Sequence, residues 1–339
     1  MKWLVVGDVH AKENELGDCA SLIEFIRTVA IQQKADSVVF MGDQYHNHSL
    51  VHLEVMNFWK AVFSSLTGSG IKPICLVGNH DMTGSKGSVA TAMMAHEGDC
   101  VVVREPTRHK GVLFMPYVPD AGSFVSLCKP HLEDRTDPYD QPIGGCKTIF
   151  CHQTFSGSVY DNGFYARDGI NPDLLGDVEI VSGHIHTPQS FANVFYVGGP
   201  RWLTAADANI HRAIWLIETD PDGCITAKTP FSTGEVCRKT LRVHDREEAP
   251  IQLPLDPRHR WYVDVFGSPA RVEARVKEIS GPGVVVRPIP DSPDDAHRIR
   301  ESDGIESAFG KFLSGFQGKH GTPMSHIKDM VRSRLGMQL

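Results

Sequence analysis

Short apolar segments alternate with longer segments of helical periodicity through the first part of the chain. Residues 2–7, 37–41 and 74–77 are apolar runs of strand length, and a glycine ends or follows each of them. Between these runs, residues 14–33 and 50–66 carry apolar side chains at the spacing of a helix face. This alternation of strands and helices predicts a parallel sheet with right-handed crossovers.

The rest of the first 230 residues is richer in strands than in helices. Apolar runs of strand length are found there at residues 101–103, 112–115, 147–151, 178–182, 193–197, 213–217 and 224–228. Residues 134–145 contain prolines and paired glycines, which favour a loop. The pattern predicts an α/β fold in which two sheets pack face to face as a β-sandwich flanked by helices.

A charged, proline-rich stretch at residues 246–257 marks a change in composition, and we expect a domain boundary there. The first domain would then span residues 1–245. Beyond the boundary, the pattern predicts a strand, a helix and a strand at residues 260–266, 271–279 and 283–287. These elements would form a small α+β domain over residues 258–290.

Residues 303–339 are predicted to form a helical tail that follows a polar, acidic linker. Apolar residues recur there at helical spacing, at Ile305, Ala308, Phe309, Phe312, Leu313 and Phe316. Thr322 and Pro323 then favour the start of a second helix. The two helices could pack on their own domain as a hairpin. An apolar stripe beyond a polar linker has little local core to join, however, which favours a partner protein.

The composition mainly excludes some classes of protein. Of 339 residues, 41% are hydrophobic and 22% are charged, and no apolar run approaches the roughly 20 residues of a membrane span. The N-terminal apolar run is too short for a signal peptide. A net charge of −7 argues against a protein that coats nucleic acid unaided. The eight scattered cysteines are expected to be free thiols in a reducing cytoplasm.

Potential metal ligands follow several of the predicted strands, where open α/β sheets place their chemistry. They are Asp8 and His10, Asp43, Asn79 with His80 and Asp81, His152, and the pair His184 and His186. Each motif alone is better explained as a turn, a helix cap or a core histidine. Their repetition at strand ends, in a chain with 17 histidines, favours a shared metal site.

These residue types suit two adjacent metal ions that hydrolyse a phosphate ester. The set divides into Asp8, His10, Asp43 and His186 for one ion and Asp43, Asn79, His152 and His184 for the other, with Asp43 bridging. Carboxylate, amide and imidazole ligands without thiolate suit Mn²⁺, Fe or Mg²⁺ better than a structural zinc. A hydroxide activated by both ions would attack phosphorus in line. His80 could steady the developing charge or protonate the leaving oxygen, and Asp81 could orient His80 or cap the following segment.

In this order, Asp-x-His, Gly-Asp, Gly-Asn-His-Asp, a lone His and Gly-His-x-His resemble the motifs of the calcineurin-like metallophosphoesterases, over roughly residues 1–235. Protein phosphatases of that superfamily carry Asp-Arg-Gly after the second motif, and this chain does not. His46, three residues after Asp43, and the segments 196–200 and 203–205 are instead similar to the SbcD-type DNA repair nucleases, above all to phage-encoded recombination nucleases. His46 would then lie behind the ligands or face the substrate, although it could also simply be solvated.

The resemblance implies partners as well as an activity. Members of that group cleave DNA with Mn²⁺ as 3′–5′ exonucleases and endonucleases, controlled by an SbcC-type coiled-coil ATPase in repair and recombination. Their capping domain would correspond to residues 258–290, and the ATPase would bind the helices of residues 303–339. They form homodimers through regions that here run from Leu50 to Leu66 and from Ser88 to His96. The implied location is the cytoplasm, that of a host bacterium if the chain is phage-encoded.

Two departures from the family pattern do not touch a ligand. Ala11 and Lys12 stand where Leu-Gly is usual, and Gly199 stands where serine is usual. Two other functions remain open. A phosphodiesterase of the same superfamily that acts on nucleotides or other small molecules would explain the site and the acidity, but not the capping domain or the tail. A non-enzymatic scaffold is disfavoured because no ligand position is missing.

Overall fold

The computed structural model describes residues 1–48, 50–83, 91–136, 142–160 and 163–291. The strands of the first half are β1 (Lys2–Val6), β2 (Ser37–Phe40), β3 (Lys72–Leu76), β4 (Val101–Val103), β5 (Thr107–His109), β6 (Val112–Met115), β7 (Arg135–Thr136), β8 (Pro142–Ile143) and β9 (Thr148–His152). Those of the second half are β10 (Glu179–Gly183), β11 (Gln189–Phe191), β12 (Val194–Tyr196), β13 (Ala213–Thr219), β14 (Ile225–Ser232), β15 (Thr240–Asp245), β16 (Arg260–Gly267) and β17 (Val284–Pro290).

The α-helices of the described residues are α1 (Leu16–Gln33), α2 (Leu53–Gly68), α3 (Ala121–Leu132) and α4 (Pro269–Ile279). Helical periodicity therefore predicts correctly that α1, α2 and α4 exist. It does not predict the first and last residue of each helix correctly. Helix α2 begins at Leu53 instead of Leu50, because the backbone of His52 is still extended, with φ −75° and ψ 132°.

The first sheet has the strand order β14-β13-β1-β2-β3-β4. Its strands β1 to β4 run parallel, whereas β13 and β14 join antiparallel beside β1. Helices α1 and α2 make the crossovers between the first three strands, and they cover this sheet with buried side chains that include Leu22, Ile26, Trp59 and Phe63. The parallel sheet predicted from the first part of the sequence is confirmed.

The second sheet has the order β11-β12-β10-β9-β6-β5. Its four inner strands, β6, β9, β10 and β12, are parallel, and the two edge strands join antiparallel. Each sheet thus has a parallel centre whose strands end at one edge, which brings the loops after those strands together.

The two sheets share a buried apolar core. Side chains of the first sheet, including Trp3, Val39 and Leu76, pack with side chains of the second, including Phe114 and Phe150. The ring of Trp3 meets those of Phe114 and Phe150 edge to face, with centroids 5.5 and 6.1 Å apart. The prediction of an α/β fold with two packed sheets and outer helices is confirmed.

Two local predictions were wrong. Residues 134–145 are not simply a loop, because β7 and β8 pair there as two short antiparallel strands. Helix α3 was missed altogether, since Pro130 lies inside its last turn and proline usually argues against a helix. The helix forms because Asp120 caps its start, where the carboxylate accepts a hydrogen bond from the backbone N–H of Ser123 at 2.6 Å.

The chain divides into two compact units. The first consists of Met1–Arg242 and Asp256–Tyr262, and the second of Val243–Leu255 and the chain from Val263 onward. In the second unit, Ser268 caps helix α4, and the buried carboxylate of Asp245 pairs with Arg271 and Arg275 from that helix. The predicted tail at residues 303–339 lies outside the described residues.

Two further observations concern the whole described chain. All eight cysteines are free, as predicted, and most of them are buried. No helix among the described residues is both long enough and apolar enough to cross a membrane.

Candidate metal centre

The candidate ligands meet because the strands that carry them are neighbours in the two sheets. Strands β1, β2 and β3 lie side by side in the first sheet, and β9 pairs with β10 in the second. The residues after these strand ends come from both sheets and form three groups in which the potential ligand atoms lie within 4.8 Å of one another. The groups are Asp8, His10 and His186; His10, Asp43 and His80; and Asp43, His152 and His184.

The first group is built around the pair of histidines that face each other across the two sheets. The Nε2 atoms of His10 and His186 are 3.2 Å apart, and His186 Nε2 lies 3.6 Å from Asp8 Oδ2. The same Asp8 oxygen accepts a hydrogen bond at 2.8 Å from the backbone N–H of His184. Two ring nitrogens and a carboxylate thus converge, as they do around a metal ion.

The contacts around His152 and His184 are tighter than those between His10 and His186. Asn79 Oδ1 lies 2.9 Å from His152 Nε2 and 2.8 Å from His184 Nδ1, and the two ring nitrogens are 3.1 Å apart. His152 Nδ1 faces the backbone carbonyl of Met41 at 2.9 Å and donates its proton there. In the neutral ring Nε2 is therefore a bare lone pair aimed at the other ligands, which is the arrangement of a metal-binding histidine.

Asp43 lies between His10 on one side of the centre and His152 on the other. Its Oδ2 atom lies 3.5 Å from His10 Nε2 and 3.4 Å from His152 Nε2, so one oxygen faces the two sites at once. Its Oδ1 atom accepts a hydrogen bond from the backbone N–H of His80 at 2.8 Å, which fixes the carboxylate plane. This placement is what a bridging carboxylate requires.

The electrostatics of the centre favour a bound cation. Burial acts to raise the pKa of Asp43, but the facing rings of His152 and His10 bring it well below its usual range. Burial acts to lower the pKa of His152, but the Asp43 and Asp8 carboxylates raise it to about 9. Burial lowers the pKa of His184 to about 3, helped by the His152 ring. The carboxylates therefore stabilise positive charge at the centre, while His184 stays neutral and able to ligate.

The donor set fits divalent metal ions. Asp8 Oδ1 is fully buried and accepts no hydrogen bond from any part of the chain that the structure describes. Burial raises the pKa of Asp8 to about 6, although the His152 ring opposes that rise. A buried carboxylate oxygen without a hydrogen-bond donor costs free energy unless a cation neutralises it. The set has oxygen and imidazole donors but no thiolate, which suits Mn²⁺, Fe or Mg²⁺.

Three of the candidate ligands have left-handed backbone conformations. The φ angles are +48° at His10, +54° at Asp43 and +78° at His184. Residues other than glycine rarely adopt this region of backbone conformation. Such strain is found mainly where the surrounding structure imposes it for function. A Cβ atom at Gly78 would collide with Asp43, so this position requires glycine.

His80 is half-buried beside the centre, where it groups with His10 and Asp43. Its Nδ1–H donates to the backbone carbonyl of His46 at 2.6 Å, and its ring meets that of His10 edge to face, 4.6 Å between centroids. Burial lowers the pKa of His80, although Asp43 opposes this. With Nδ1 held by a carbonyl, the Nε2 atom is the one available for chemistry.

His46 and Asp81 differ in how close they come to the ligands. The half-buried His46 ring lies 5.4 Å from that of His10 and 6.0 Å from that of His80, so it borders the centre. Asp81 is buried, and its carboxylate accepts hydrogen bonds at 3.0 Å from the backbone N–H groups of Gly78 and Tyr45. Asp81 thus ties two ligand-bearing loops together, which favours a positioning role over contact with the His80 ring.

Sequence reasoning missed several residues that shape the centre. His48 stacks on His80, with ring centroids 3.9 Å apart, and bonds to the backbone carbonyl of Asn79 at 2.9 Å. In the sequence, His48 stands two residues after His46, which is also the spacing within the ligand pairs. This spacing could have identified His48 as a residue of the centre. Tyr117 stacks on His184 at 5.9 Å. No sequence signal pointed to Tyr117.

Two buried arginines hold the backbone of the ligand loops. Arg201 donates to the carbonyl oxygens of Val9 and His10, at 2.9 and 3.0 Å. Arg212 donates to the carbonyl oxygen of His186. Both follow the glycine-rich segment 198–199, but a buried arginine leaves no recognisable pattern in the sequence.

A two-sheet α/β fold with a cluster of histidine and aspartate side chains that could bind metal at the strand ends is typical of the calcineurin-like phosphoesterases. The model of the calcineurin-like phosphoesterase family matches residues 1–188, and the chain belongs to that family. Its sequence is also similar to that of exonuclease subunit 1 of Enterobacteria phage T4. The two are 27% identical over 233 residues, which cover 66% of this chain and 66% of the phage protein.

Proposed function

We propose that this chain is a metal-dependent DNA nuclease, a 3′–5′ exonuclease and endonuclease that serves as the nuclease subunit of an SbcCD-type repair or recombination complex. The observation that carries the proposal is the cluster of candidate ligands in which Asp43 faces both His10 and His152, in a chain similar to an exonuclease subunit. A metal site of this kind suits the hydrolysis of a phosphate ester, and an exonuclease acts on the phosphodiester bond between nucleotides. That bond is therefore the substrate that agrees with both observations.

Two Mn²⁺ ions, or Mg²⁺ or Fe, would be held by the two ligand groups around Asp43. The residues of one group would be Asp8, His10, Asp43 and His186, and those of the other Asp43, Asn79, His152 and His184. When bound, such ions supply an activated water and neutralise charge on the phosphate. The chain itself supplies rigidity, because Met41, Arg201 and Arg212 fix the ligand histidines through backbone contacts.

His80 would act on the reacting phosphate through Nε2. Its Nδ1–H is committed to the carbonyl of His46, and its backbone N–H holds Asp43, so the ring has one orientation. In the protonated state, Nε2–H would donate to the phosphate and pass its proton to the leaving oxygen. Stacking on His48 keeps the ring from rotating away. His46 would border the substrate on the same side.

The proposed partners rest on the resemblance to the SbcD-type nucleases. For the homodimer, a set of exposed apolar side chains gives additional support. The start of α2 and the segment before it expose Leu50, Val51 and Leu53, and Met94 is also exposed. This apolar set supports a homodimer through the regions from Leu50 to Leu66 and from Ser88 to His96, of which residues 84–90 are outside the described chain. The SbcC-type ATPase would bind residues 303–339, and residues 258–290 would form the capping domain. The complex would act in the cytoplasm, which is that of the host bacterium if the chain is phage-encoded.

The test compares three substrates in Mn²⁺ with and without a candidate coiled-coil ATPase. The substrates are linear duplex DNA, a single-stranded oligonucleotide and bis(p-nitrophenyl) phosphate. We expect metal-dependent cleavage of DNA, abolished by a chelator and by His80→Ser, but unaffected by His211→Ser at an exposed histidine.

Two other outcomes would replace the proposal. Hydrolysis of the small ester with no cleavage of either DNA, even with the ATPase, would identify a small-molecule or nucleotide phosphodiesterase. A protein that hydrolyses none of the three substrates in Mn²⁺, Mg²⁺ or Fe²⁺ would be a binding scaffold with the family fold.

A further inference from the structure

A hairpin-shaped loop with isolated β-bridges, but without a regular strand among its described residues, leaves the metal centre directly after the ligand His152. It runs through residues 153–160 and returns through residues 163–170, and we call it the aromatic hairpin. Backbone hydrogen bonds join its two sides, among them Tyr160 N–H to Phe164 O at 2.9 Å and Ala166 N–H to Ser158 O at 2.8 Å. The hairpin is therefore an ordered structure rooted at the end of strand β9.

A second attachment fixes the hairpin beside the other ligands. The Gln189 side chain accepts a hydrogen bond from Val159 N–H and donates to Val159 O, both at 2.7 Å. The same amide nitrogen donates to Thr187 O at 3.2 Å, next to the ligand His186. The hairpin is thus clamped to the segment that carries two candidate ligands, so its position relative to the metal centre is set by both strands β9 and β10.

The tip of the aromatic hairpin presents aromatic rings to solvent. Phe164 is 72% exposed, Tyr165 is 69% exposed and Tyr160 is 38% exposed. They are the three aromatic side chains among the large exposed apolar residues of the described chain, and all belong to this one hairpin. Concentrated exposure of large rings marks an interaction surface, because isolated folding gives no reason for it.

The charge of the hairpin limits what that surface can bind. The charged residues of its two described sides are Arg167 and Asp168, and the whole chain carries −7. A contact that relied on phosphate charge alone would need a basic surface, which the hairpin lacks. Nucleobases are the part of a nucleic acid that binds aromatic rings without needing charge, and they offer their faces only when the strand is unpaired.

We infer that the aromatic hairpin binds unpaired nucleobases of the strand that enters the metal centre. The inference rests on the proposed nuclease function and makes it more specific: the substrate is a strand that is single or melted near the cleaved phosphate. Residues 153–160 can extend over about 26 Å at most, which is roughly seven nucleotides of a stacked strand. The rings therefore contact bases within that distance of the cleaved bond.

The experiment uses the full chain with Phe164→Ala and Tyr165→Ala combined. We expect the dissociation constant for a single-stranded oligothymidylate of about twelve nucleotides to rise at least roughly tenfold, as expected when stacking on a base is lost. The rate on bis(p-nitrophenyl) phosphate should not change, because that ester is too small to reach the hairpin. The salt dependence of oligonucleotide binding should also keep its slope, because no phosphate contact is removed.

Two control variants separate stacking from other effects. Tyr165→Phe keeps the ring and should bind the oligonucleotide as the unmodified protein does. Leu174→Ala removes an apolar side chain that is 55% exposed elsewhere in the same unit, and it should have no effect. Since all these side chains are exposed, the variants should fold, and the rate on the small ester checks that they do.

The outcomes distinguish this inference from the proposed function. An unmodified protein that cleaves the oligonucleotide, with an unchanged dissociation constant in the double variant, overturns the hairpin inference alone. An unmodified protein that hydrolyses only the small ester and does not bind the oligonucleotide overturns both. If the double variant binds the oligonucleotide normally but loses binding to the ATPase or to a second copy, the rings serve a protein interface and the inference is wrong.

Discussion

One guanidinium group holds the backbone on which His10 sits. Arg201 is buried, and it bonds to the carbonyl oxygens of Val9 and His10 while its charge is balanced by Glu15 and Asp18 at 2.9 and 3.2 Å. Because His10 has a left-handed backbone, the local chain alone does not favour its orientation. The position of this candidate ligand therefore depends on a residue 191 positions later in the sequence.

We expect Arg201→Met to weaken both the fold and the centre. Its loss removes the arginine donor from two buried carbonyl oxygens and the buried positive charge that balances Glu15 and Asp18, which should lower the free energy of unfolding by roughly 3–5 kcal/mol. Affinity for Mn²⁺ should fall about 10- to 100-fold, as for other residues that orient metal ligands. Urea unfolding and calorimetric Mn²⁺ titration measure the two effects. A variant that unfolds at a lower urea concentration but keeps its Mn²⁺ affinity would show that Arg201 is only structural.

Asp43→Asn should affect the two metal positions together. An amide has one oxygen where the carboxylate has two and carries no charge, so it cannot bridge two cations. We expect fewer than two Mn²⁺ ions per chain by metal analysis after dialysis, and a loss of phosphodiesterase activity of at least about a hundredfold. Asp222→Asn, at an exposed turn, is the matched control and should bind the same amount of metal as the unmodified protein. Full metal content in Asp43→Asn would exclude the bridging role.

At the residue scale, the sequence identifies those residues whose chemistry is unusual for their position. Asp8, Asn79 and His184 stand directly after apolar strands. A polar residue at such a position indicates a function at the strand end. Arg201 and Tyr117 could not be found in this way. Their roles come from contacts between distant segments, and neither residue type nor spacing marks such contacts in advance.

At the scale of elements, glycines decide how closely the ligand loops approach one another. The Cα of Gly78 lies so near Asp43 that any side chain would overlap it. Gly17, in the first turn of α1, has open space around it and an ordinary helical conformation. The same substitution at these two glycines should therefore have opposite effects.

Gly78→Ala should displace Asp43 and reduce Mn²⁺ binding and phosphodiesterase activity at least about tenfold, because overlap with fixed backbone must shift the loop. Gly17→Ala should leave activity unchanged and raise the free energy of unfolding by roughly 0.4–1 kcal/mol, because alanine restricts the unfolded chain. Urea unfolding and ester hydrolysis test both variants. Equal activity in the two would contradict the close approach at Gly78.

The elements themselves were predictable where a periodic apolar pattern was strong. Strands β1 to β3 are buried at nearly every residue, as their continuous apolar runs predict, and helices α1 and α2 bury residues at helical spacing. Helix α3 was not predictable from its composition, since proline and glycine both argue against a helix. Capping by Asp120 and the burial of Phe124 and Cys128 against the second sheet override that preference.

At the scale of the whole first unit, the candidate ligands link the two sheets. Asp8, Asp43 and Asn79 follow strands of the first sheet, whereas His152 and His184 belong to the second. A metal bound by both sets joins the sheets at one edge, in addition to the apolar core between them. Metal binding should therefore add to the stability of the fold.

Removing metal with a chelator should lower the melting temperature. Metal at 100 times its dissociation constant stabilises the folded state by about 2.7 kcal/mol, which corresponds to a shift of roughly 5–10 °C for a unit of this size. Differential scanning calorimetry with Mn²⁺ and then with excess chelator measures the shift. It should be much smaller in Asp43→Asn. The same shift in that variant would place the stabilising metal elsewhere.

The whole-molecule organisation was only partly accessible from the sequence. The domain boundary expected at residues 246–257 stays a prediction, whereas the chain divides between Arg242 and Val243, and Asp256–Tyr262 belong to the first unit. The family pattern could not reveal the exposed rings of the aromatic hairpin, since exposure of Phe164 and Tyr165 depends on what the rest of the fold leaves uncovered.

The pairing of β1 with β13 has a consequence for synthesis of the protein on the ribosome. One edge of Lys2–Val6 bonds to β2 early, but the other awaits Ala213–Thr219, more than 200 residues later. At about 5–20 residues per second, the nascent chain carries an unpaired apolar strand edge for roughly 10–40 s. Such an edge readily pairs with other chains. Production at low temperature or with chaperones that cover nascent strands should therefore raise the soluble yield.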